Sequence, residues 1–108
     1  MKSSIKELVE ELEAEINNGG FDQFFFNSAG DRTAEVIDAL SVIGATRTAT
    51  IVKAAASKFP GGMPPRDQNA RQEALEVVSP DSDAFEDQDD AFLKYEEDLA
   101  ALVAAHEV

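Results

Sequence analysis

The sequence has no cysteine and no tryptophan, and its single histidine is His106. Without cysteine there is no disulfide, no thiolate nucleophile and no cysteine-based metal site. A histidine near a chain terminus is usually a solvated side chain, so Ser/His and Cys/His catalysis have no base. Carboxylates are plentiful, but no pattern marks one as a general acid or base. We therefore expect no enzymatic activity and no cofactor.

Long apolar runs are missing as well. Residues 1–16 alternate charged and aliphatic side chains, which is untypical of a signal peptide, and no later run approaches a membrane span. We expect a soluble, cytoplasmic protein that does not bind membranes. The length of 108 residues and a hydrophobic fraction of 44% suit a single domain, residues 1–108, with one modest core.

Basic residues are few: 9 Lys and Arg stand against 22 Asp and Glu, for a net charge of −13. This balance disfavours direct binding to nucleic acid or to an anionic membrane. The charge is also uneven. Residues 1–58 carry 9 acids and 6 bases, net −3, whereas residues 59–108 carry 13 acids and 3 bases, net −10. Such asymmetry bears on partners rather than on the fold.

Apolar residues recur at helical spacing through most of the chain. The first predicted helix runs from Ser3 or Ser4 to Asn18, with Ser4 and Glu7 as a capping box, and Gly19 and Gly20 end it. For residues 21–27 we favour a short helix over a strand. That helix would bury three of its phenylalanines and leave Phe26 exposed.

The remaining segments predict further helices, each with its own start and stop residues. They are a helix capped by Asp31 or Thr33 and ended by Gly44, one from Thr46 or Thr48 to Phe59, one from Pro65 to about Val77, and one from Ser82 or Asp83 to about His106. Phe85, Phe92, Tyr95, Leu99 and Leu102 would line the inner face of the last helix. The expected fold is all-α, a single compact domain of about five to six helices.

Residues 76–98 form the most unusual segment, with ten acids and one base, Lys94, for a net charge of −9 over 23 residues. A calcium loop starting at Asp81 fails because Glu86 replaces the turn glycine and Phe92 the bidentate glutamate, so we expect no metal. The predicted partner-binding residues are Glu76, Asp81, Asp83, Glu86, Asp87, Asp90, Glu97 and Asp98. Of these, Glu86, Asp87, Asp90 and Glu97 should point outward from the last helix.

Residues 18–31, Asn-Gly-Gly-Phe-Asp-Gln-Phe-Phe-Phe-Asn-Ser-Ala-Gly-Asp, resemble the signature of the DNA mimic protein 19 domain family. The resemblance continues through residues 39–40, 43–45, 59–60, 90–92 and 97–99. It implies an all-helical domain without known enzymatic activity. The family's named example is an acidic dimer that occupies the DNA-binding surface of a transcriptional regulator, and many members have no assigned function. We interpret the signature as architecture, with glycines at a helix corner, aromatics in the core and amide side chains satisfying backbone groups.

The leading hypothesis is a non-enzymatic acidic protein-binding module that mimics DNA and occupies the DNA-binding surface of a basic regulator. A rigid array of carboxylates can imitate a row of phosphates, and Glu7, Glu10, Glu11 and Glu13 would support it. The alternative is a structural or scaffold domain whose acidic surface serves only solubility, which is the commoner role of charged faces. A homodimer is a further expectation, because so short a chain can leave an apolar face uncovered.

Overall fold

The computed structural model describes residues 4–107, which form six α-helices and two 3₁₀ helices and no strand. In chain order these are α1 (Ile5–Phe26), a 3₁₀ helix (Ser28–Arg32), α2 (Thr33–Val42), α3 (Thr46–Ala56), a 3₁₀ helix (Pro60–Gly62), α4 (Gln68–Val78), α5 (Glu86–Leu93) and α6 (Leu99–Glu107). The predicted all-α fold is confirmed. Ser3, one of the two predicted starting residues of the first helix, lies outside the described residues. Within residues 4–107 no helix is both long and apolar enough to span a membrane.

The first helix bends sharply at its glycine pair. Ser4 caps it as predicted, because its hydroxyl accepts a hydrogen bond of 3.1 Å from the Glu7 amide. At Gly20 the backbone takes φ 71° and ψ −168°, a conformation that is open essentially only to glycine. The bend separates residues 5–18 from a second helical segment, residues 21–26. The predicted stop and the predicted short phenylalanine helix are thus both present, joined in one kinked element.

The core is built around that second segment of α1. Phe21, Phe24 and Phe25 are fully buried, whereas Phe26 is 54% exposed, as predicted. The Phe25 ring lies 4.9 Å from the Phe59 ring and 5.2 Å from the Phe85 ring, measured between centroids. Because α1 also contacts α2, α4, α5 and α6, it is the element on which the others assemble.

Several predicted helix caps are wrong. Neither Asp31 nor Thr33 caps α2. The Thr33 hydroxyl donates instead to the Gly30 carbonyl at 2.7 Å. Neither Thr46 nor Thr48 supplies a side-chain cap to α3. Helix α4 begins at Gln68 rather than at Pro65, and Asp67 caps it through a 2.8 Å bond from the Ala70 amide. The true caps of this fold come in part from distant segments.

The single last helix predicted from Ser82 or Asp83 to about His106 is also wrong. The chain forms α5 and α6 with a break between them, and neither predicted cap residue caps α5. Within the break Tyr95 adopts φ 47° and is 39% exposed, so it does not belong to an inner face. Its hydroxyl accepts a hydrogen bond from Asn17 at 2.8 Å and donates one to Glu13 at 3.1 Å, which fastens the break to α1.

Candidate functional site

Helix α5 carries an outward row of carboxylates. Phe92 is buried on one side of the helix, and at about 100° per residue Glu86, Asp87 and Asp90 fall on the opposite side, where all three are exposed. With Asp89, the eight residues of α5 carry four acids over about 12 Å, one per roughly 3 Å. One strand of duplex DNA carries a phosphate about every 3.4 Å along the axis. Counting all four acids, the linear charge density of α5 is close to that of one DNA strand, and the three outward acids alone give one charge per roughly 4 Å.

Cations do not neutralise this row. Among residues 4–107, the salt bridges join Glu11 to Arg32, Glu96 to Arg47, Glu35 to Arg66 and Asp31 to Arg71. Only Glu96 belongs to the acid-rich segment. Six predicted residues are exposed, and their carboxylates make no salt bridge or hydrogen bond to any described residue. We call these six the acidic surface: Glu76, Asp81, Asp83, Glu86, Asp87 and Asp90.

The other two predicted residues, Glu97 and Asp98, have structural contacts. Asp98 caps α6, because its carboxylate accepts a 3.1 Å hydrogen bond from the Ala101 amide. Glu97 is partly buried and reaches across to α3, where it accepts bonds of 2.7 Å from the Thr48 amide, 2.8 Å from the Thr48 hydroxyl and 3.2 Å from the Arg47 amide. The expectation that Glu97 points outward beside Glu86 is wrong, because the open N-terminus of α3 binds its charge.

The pKa of Glu97 reflects this position. Burial by itself would raise the pKa, but the hydrogen bonds from Thr48 and Arg47, and the charge of Arg47, outweigh it. The net result is a pKa below the usual value for a glutamate, so the charged form stabilises the fold. Glu97 is therefore the cap that α3 lacks locally.

A second remote cap, Asp89, was missed by the sequence reasoning. Its carboxylate accepts a 2.8 Å hydrogen bond from the Phe21 amide, at the start of the second segment of α1. A Cβ at Gly20 would lie 2.5 Å from this carboxylate, so glycine is needed for the approach as well as for the bend. The only sequence clue is that the helical segment after Gly19-Gly20 has no capping residue of its own. Any of the ten acids between residues 76 and 98 could equally have capped it.

Asp89 also shows that α1 adds to the negative field of α5. Burial raises the pKa of Asp89, the hydrogen bond from Phe21 opposes that rise, and the charges of Asp22, Asp90 and Glu86 add to it. Asp22 belongs to α1, so its carboxylate lies close enough to α5 to interact with the carboxylates there. The negative potential thus spans both helices.

The fully buried Arg71 on α4 is a further residue that the sequence reasoning missed. Its guanidinium donates to the carbonyls of Phe25 at 2.6 Å, Asn27 at 2.9 Å and Arg66 at 2.9 Å, and it lies 2.8 Å from the Asp31 carboxylate. These contacts fasten α4 to the end of α1. No periodic pattern distinguishes a buried arginine from the many exposed ones in a helical sequence.

The same contacts revise the interpretation of the signature at residues 18–31. Its amide side chains do not satisfy nearby backbone groups, because Asn18 donates to the Gln23 side chain and Asn27 to the Glu15 carboxylate. Arg71 and Asp89 bind the backbone of this segment instead. Among the described residues, no three His, Cys, Asp or Glu side chains are grouped so as to hold a metal ion.

Residues 4–107 thus form an all-helical, acidic fold with one surface of exposed carboxylates that make no salt bridge to a described residue. The chain belongs to the DMP19-like family, since the family model described as DMP19-like protein matches residues 8–107. The match includes both the signature segment and α5, and it confirms the family resemblance seen in the sequence. Neither the curated proteins nor the solved structures include a match to this chain.

Proposed function

We propose that this chain is a non-enzymatic protein-binding module whose acidic surface occupies the nucleic-acid-binding surface of a basic protein, in the manner of a DNA mimic. The observation that carries the proposal is the set of six exposed carboxylates that no cation of the described chain neutralises. Four of them follow one another along the turn before α5 and the outward face of α5: Asp83, Glu86, Asp87 and Asp90.

The physics of this surface favours a basic protein partner. Like charges three or four residues apart destabilise a helix, and three of these acids stand on an eight-residue helix without compensating lysines. A patterned negative surface speeds encounter with a positive one and discriminates against other acidic surfaces. Because the groups are exposed, such binding should weaken as salt screens them.

Family membership supports the same proposal. The chain belongs to the DMP19-like family, and the resemblance at residues 18–31 implies a relative that covers the DNA-binding surface of a regulator. The Asp89 cap and the Arg71 contacts hold α5 and α4 against α1, so the acids of α5 are presented from a fixed backbone.

A competition experiment with matched variants tests the proposal. Basic proteins retained from a native lysate by the immobilised chain, and eluted by a salt gradient, are bound to a fluorescent DNA duplex. The wild-type chain should displace the duplex. Asp87→Asn with Asp90→Asn should weaken displacement about 2- to 30-fold, because each exposed ion pair contributes roughly 0.2–1 kcal/mol.

The control pair is Asp38→Asn with Glu107→Gln, which changes the net charge equally at exposed positions on α2 and α6. The control should displace DNA as the wild type does. If both pairs weaken displacement equally, the effect comes from total charge rather than from the α5 face. If the wild-type chain in excess at low salt leaves the DNA fully bound, the mimic proposal is wrong and the scaffold alternative is favoured.

A further inference from the structure

Beside the acidic surface lies an open groove of about 740 Å³ between the end of α1, helix α4 and the turn that follows α4. Phe26, Leu75 and Pro80 supply its apolar lining, and Asp22 and Glu76 supply carboxylates. The exposed Phe26 ring is the largest apolar group in it. The groove therefore combines an aromatic face with two negative charges at one place.

The groove is preformed because the backbone of Phe26 is held in place. Its carbonyl accepts hydrogen bonds from the side-chain Nε2 of Gln72 at 2.8 Å and of Gln68 at 3.2 Å. Arg71 holds the carbonyls on either side, at Phe25 and Asn27. The ring is nevertheless 54% exposed, so a side chain of a partner can cover it without any rearrangement of this backbone.

We infer that the groove receives an arginine side chain of the basic partner, whose stem and guanidinium plane lie on Phe26 while its charge faces Asp22 and Glu76. The inference rests on the proposed function and specifies the residue type that the partner contributes. Arginine fits because its stem is apolar, its plane stacks on aromatic rings and its fork pairs with carboxylates.

Other occupants match the groove less well. A purely apolar side chain would cover Asp22 and Glu76 and leave their charges without a partner, which is costly. A nucleic acid base could stack on Phe26, but its phosphates would meet the two carboxylates and the acidic surface. A lysine satisfies the charges but lacks the plane that stacks on the ring.

The test compares two peptide probes, octa-arginine and octa-lysine, titrated calorimetrically into the full chain at low salt. The wild type should bind octa-arginine more tightly, by up to about 5-fold, because an exposed cation–π contact contributes about 0.5–1 kcal/mol and lysine, which lacks the stacking plane, keeps part of it. Amide chemical shifts should move at Phe26, Gln72 and Glu76 as well as on α5. Phe26→Ala should remove the part of the arginine preference that comes from stacking on the ring and leave only the part due to carboxylate pairing. Phe26→Leu keeps an apolar side chain but no ring, so it should lose most of the arginine preference.

Met63→Ala, a change at an exposed apolar residue that does not line the groove, should keep the full preference. Thermal unfolding of the Phe26 variants checks that they fold, and Phe26→Leu keeps an apolar side chain there. If the wild type binds both peptides equally, or the Phe26 variants keep the preference, the arginine inference is wrong while the proposed function stands. If neither peptide binds the wild type at low salt, the proposed function fails, and the inference with it.

Discussion

The acids of the N-terminal region, residues 4–58, and those of residues 76–98 differ in what surrounds them. In the first region, Glu11, Asp31 and Glu35 each pair with an arginine. In the second, ten acids meet one salt bridge, at Glu96. Among the described residues, the net negative charge is therefore concentrated where few carboxylates pair with a cation. The position of the acidic surface therefore depends on where the fold places its arginines and not only on how many acids the chain has.

Within the second region, neighbouring acids also have opposite roles. Asp89 binds the Phe21 amide of α1, whereas Asp90 points to solvent. Glu97 caps α3, while the adjacent Glu96 pairs with an exposed arginine. The hydrogen bond that an acid accepts from a remote helix start should matter for stability, whereas acids of the acidic surface should matter only for binding.

The largest expected effect is that of Arg71→Met, because the change leaves the Asp31 charge, the buried Phe25 carbonyl and the partly buried Asn27 carbonyl without this partner. We expect a loss of about 3–5 kcal/mol in the free energy of unfolding, measured by chemical denaturation. Arg66→Met also breaks an arginine–carboxylate pair, to Glu35, but an exposed one, and should cost far less. Equal losses in the two variants would mean that burial of Arg71 is not what makes its contacts matter.

Gly20→Ala should have the second-largest effect on the free energy of unfolding. The new Cβ meets the Asp89 carboxylate at 2.5 Å, and the backbone of Gly20 is strained for any other residue, so we expect a loss of about 2–3 kcal/mol in the free energy of unfolding. Gly44→Ala is the matched control, since Gly44 also has a positive φ, of 85°, but nothing lies within 4 Å of its added Cβ. It should lose roughly 1 kcal/mol. The Asp89 contact would be unimportant if both variants lost the same.

Glu97→Ala should cost about 1 kcal/mol, the usual price of a helix cap. Asp90→Ala, on the acidic surface, should stay within about 0.5 kcal/mol of the wild type. Because hydrogen bonds lower the pKa of Glu97, the stability it provides should be present at neutral pH and lost as the pH falls through that lowered pKa. Urea unfolding at several pH values measures both effects. A larger loss for Asp90→Ala would reverse the assigned roles.

The smallest effect should be that of Asp89→Asn. Burial raises the pKa of Asp89, so its ionisation opposes folding and its contribution to stability falls as the pH rises through the raised pKa. The asparagine can still accept from Phe21 but carries no charge. The variant should therefore be slightly more stable than the wild type near pH 7, and the gain should vanish toward about pH 4. Asp38→Asn is the control, and a variant less stable at neutral pH would contradict the assignment.

Periodicity and composition sufficed for much of the fold. Apolar residues at helical spacing located α1 to α4, the glycine pair located the bend of α1, and the three phenylalanines before the exposed Phe26 were placed correctly in the core. These features depend on residues close in sequence, so local physics decides them. The acid-rich segment, residues 76–98, was also visible, because its charge can be counted in the sequence.

The caps and the break between α5 and α6 were not visible in the same way. Whether an acid faces solvent or a helix start depends on which helix end lies beside it after packing. Glu97 reaches α3, and its bond to Thr48 spans 49 residues of sequence. No local rule assigns such a pair when many acids are available.

The sequence by itself therefore determined that this chain is helical, acidic and built on a phenylalanine core. Only the tertiary structure decided which carboxylates are used within the fold and which remain available to a partner. The physical reason is that hydrophobic spacing acts within one helix, whereas a charge finds its partner through space, across elements that meet only once the chain has folded.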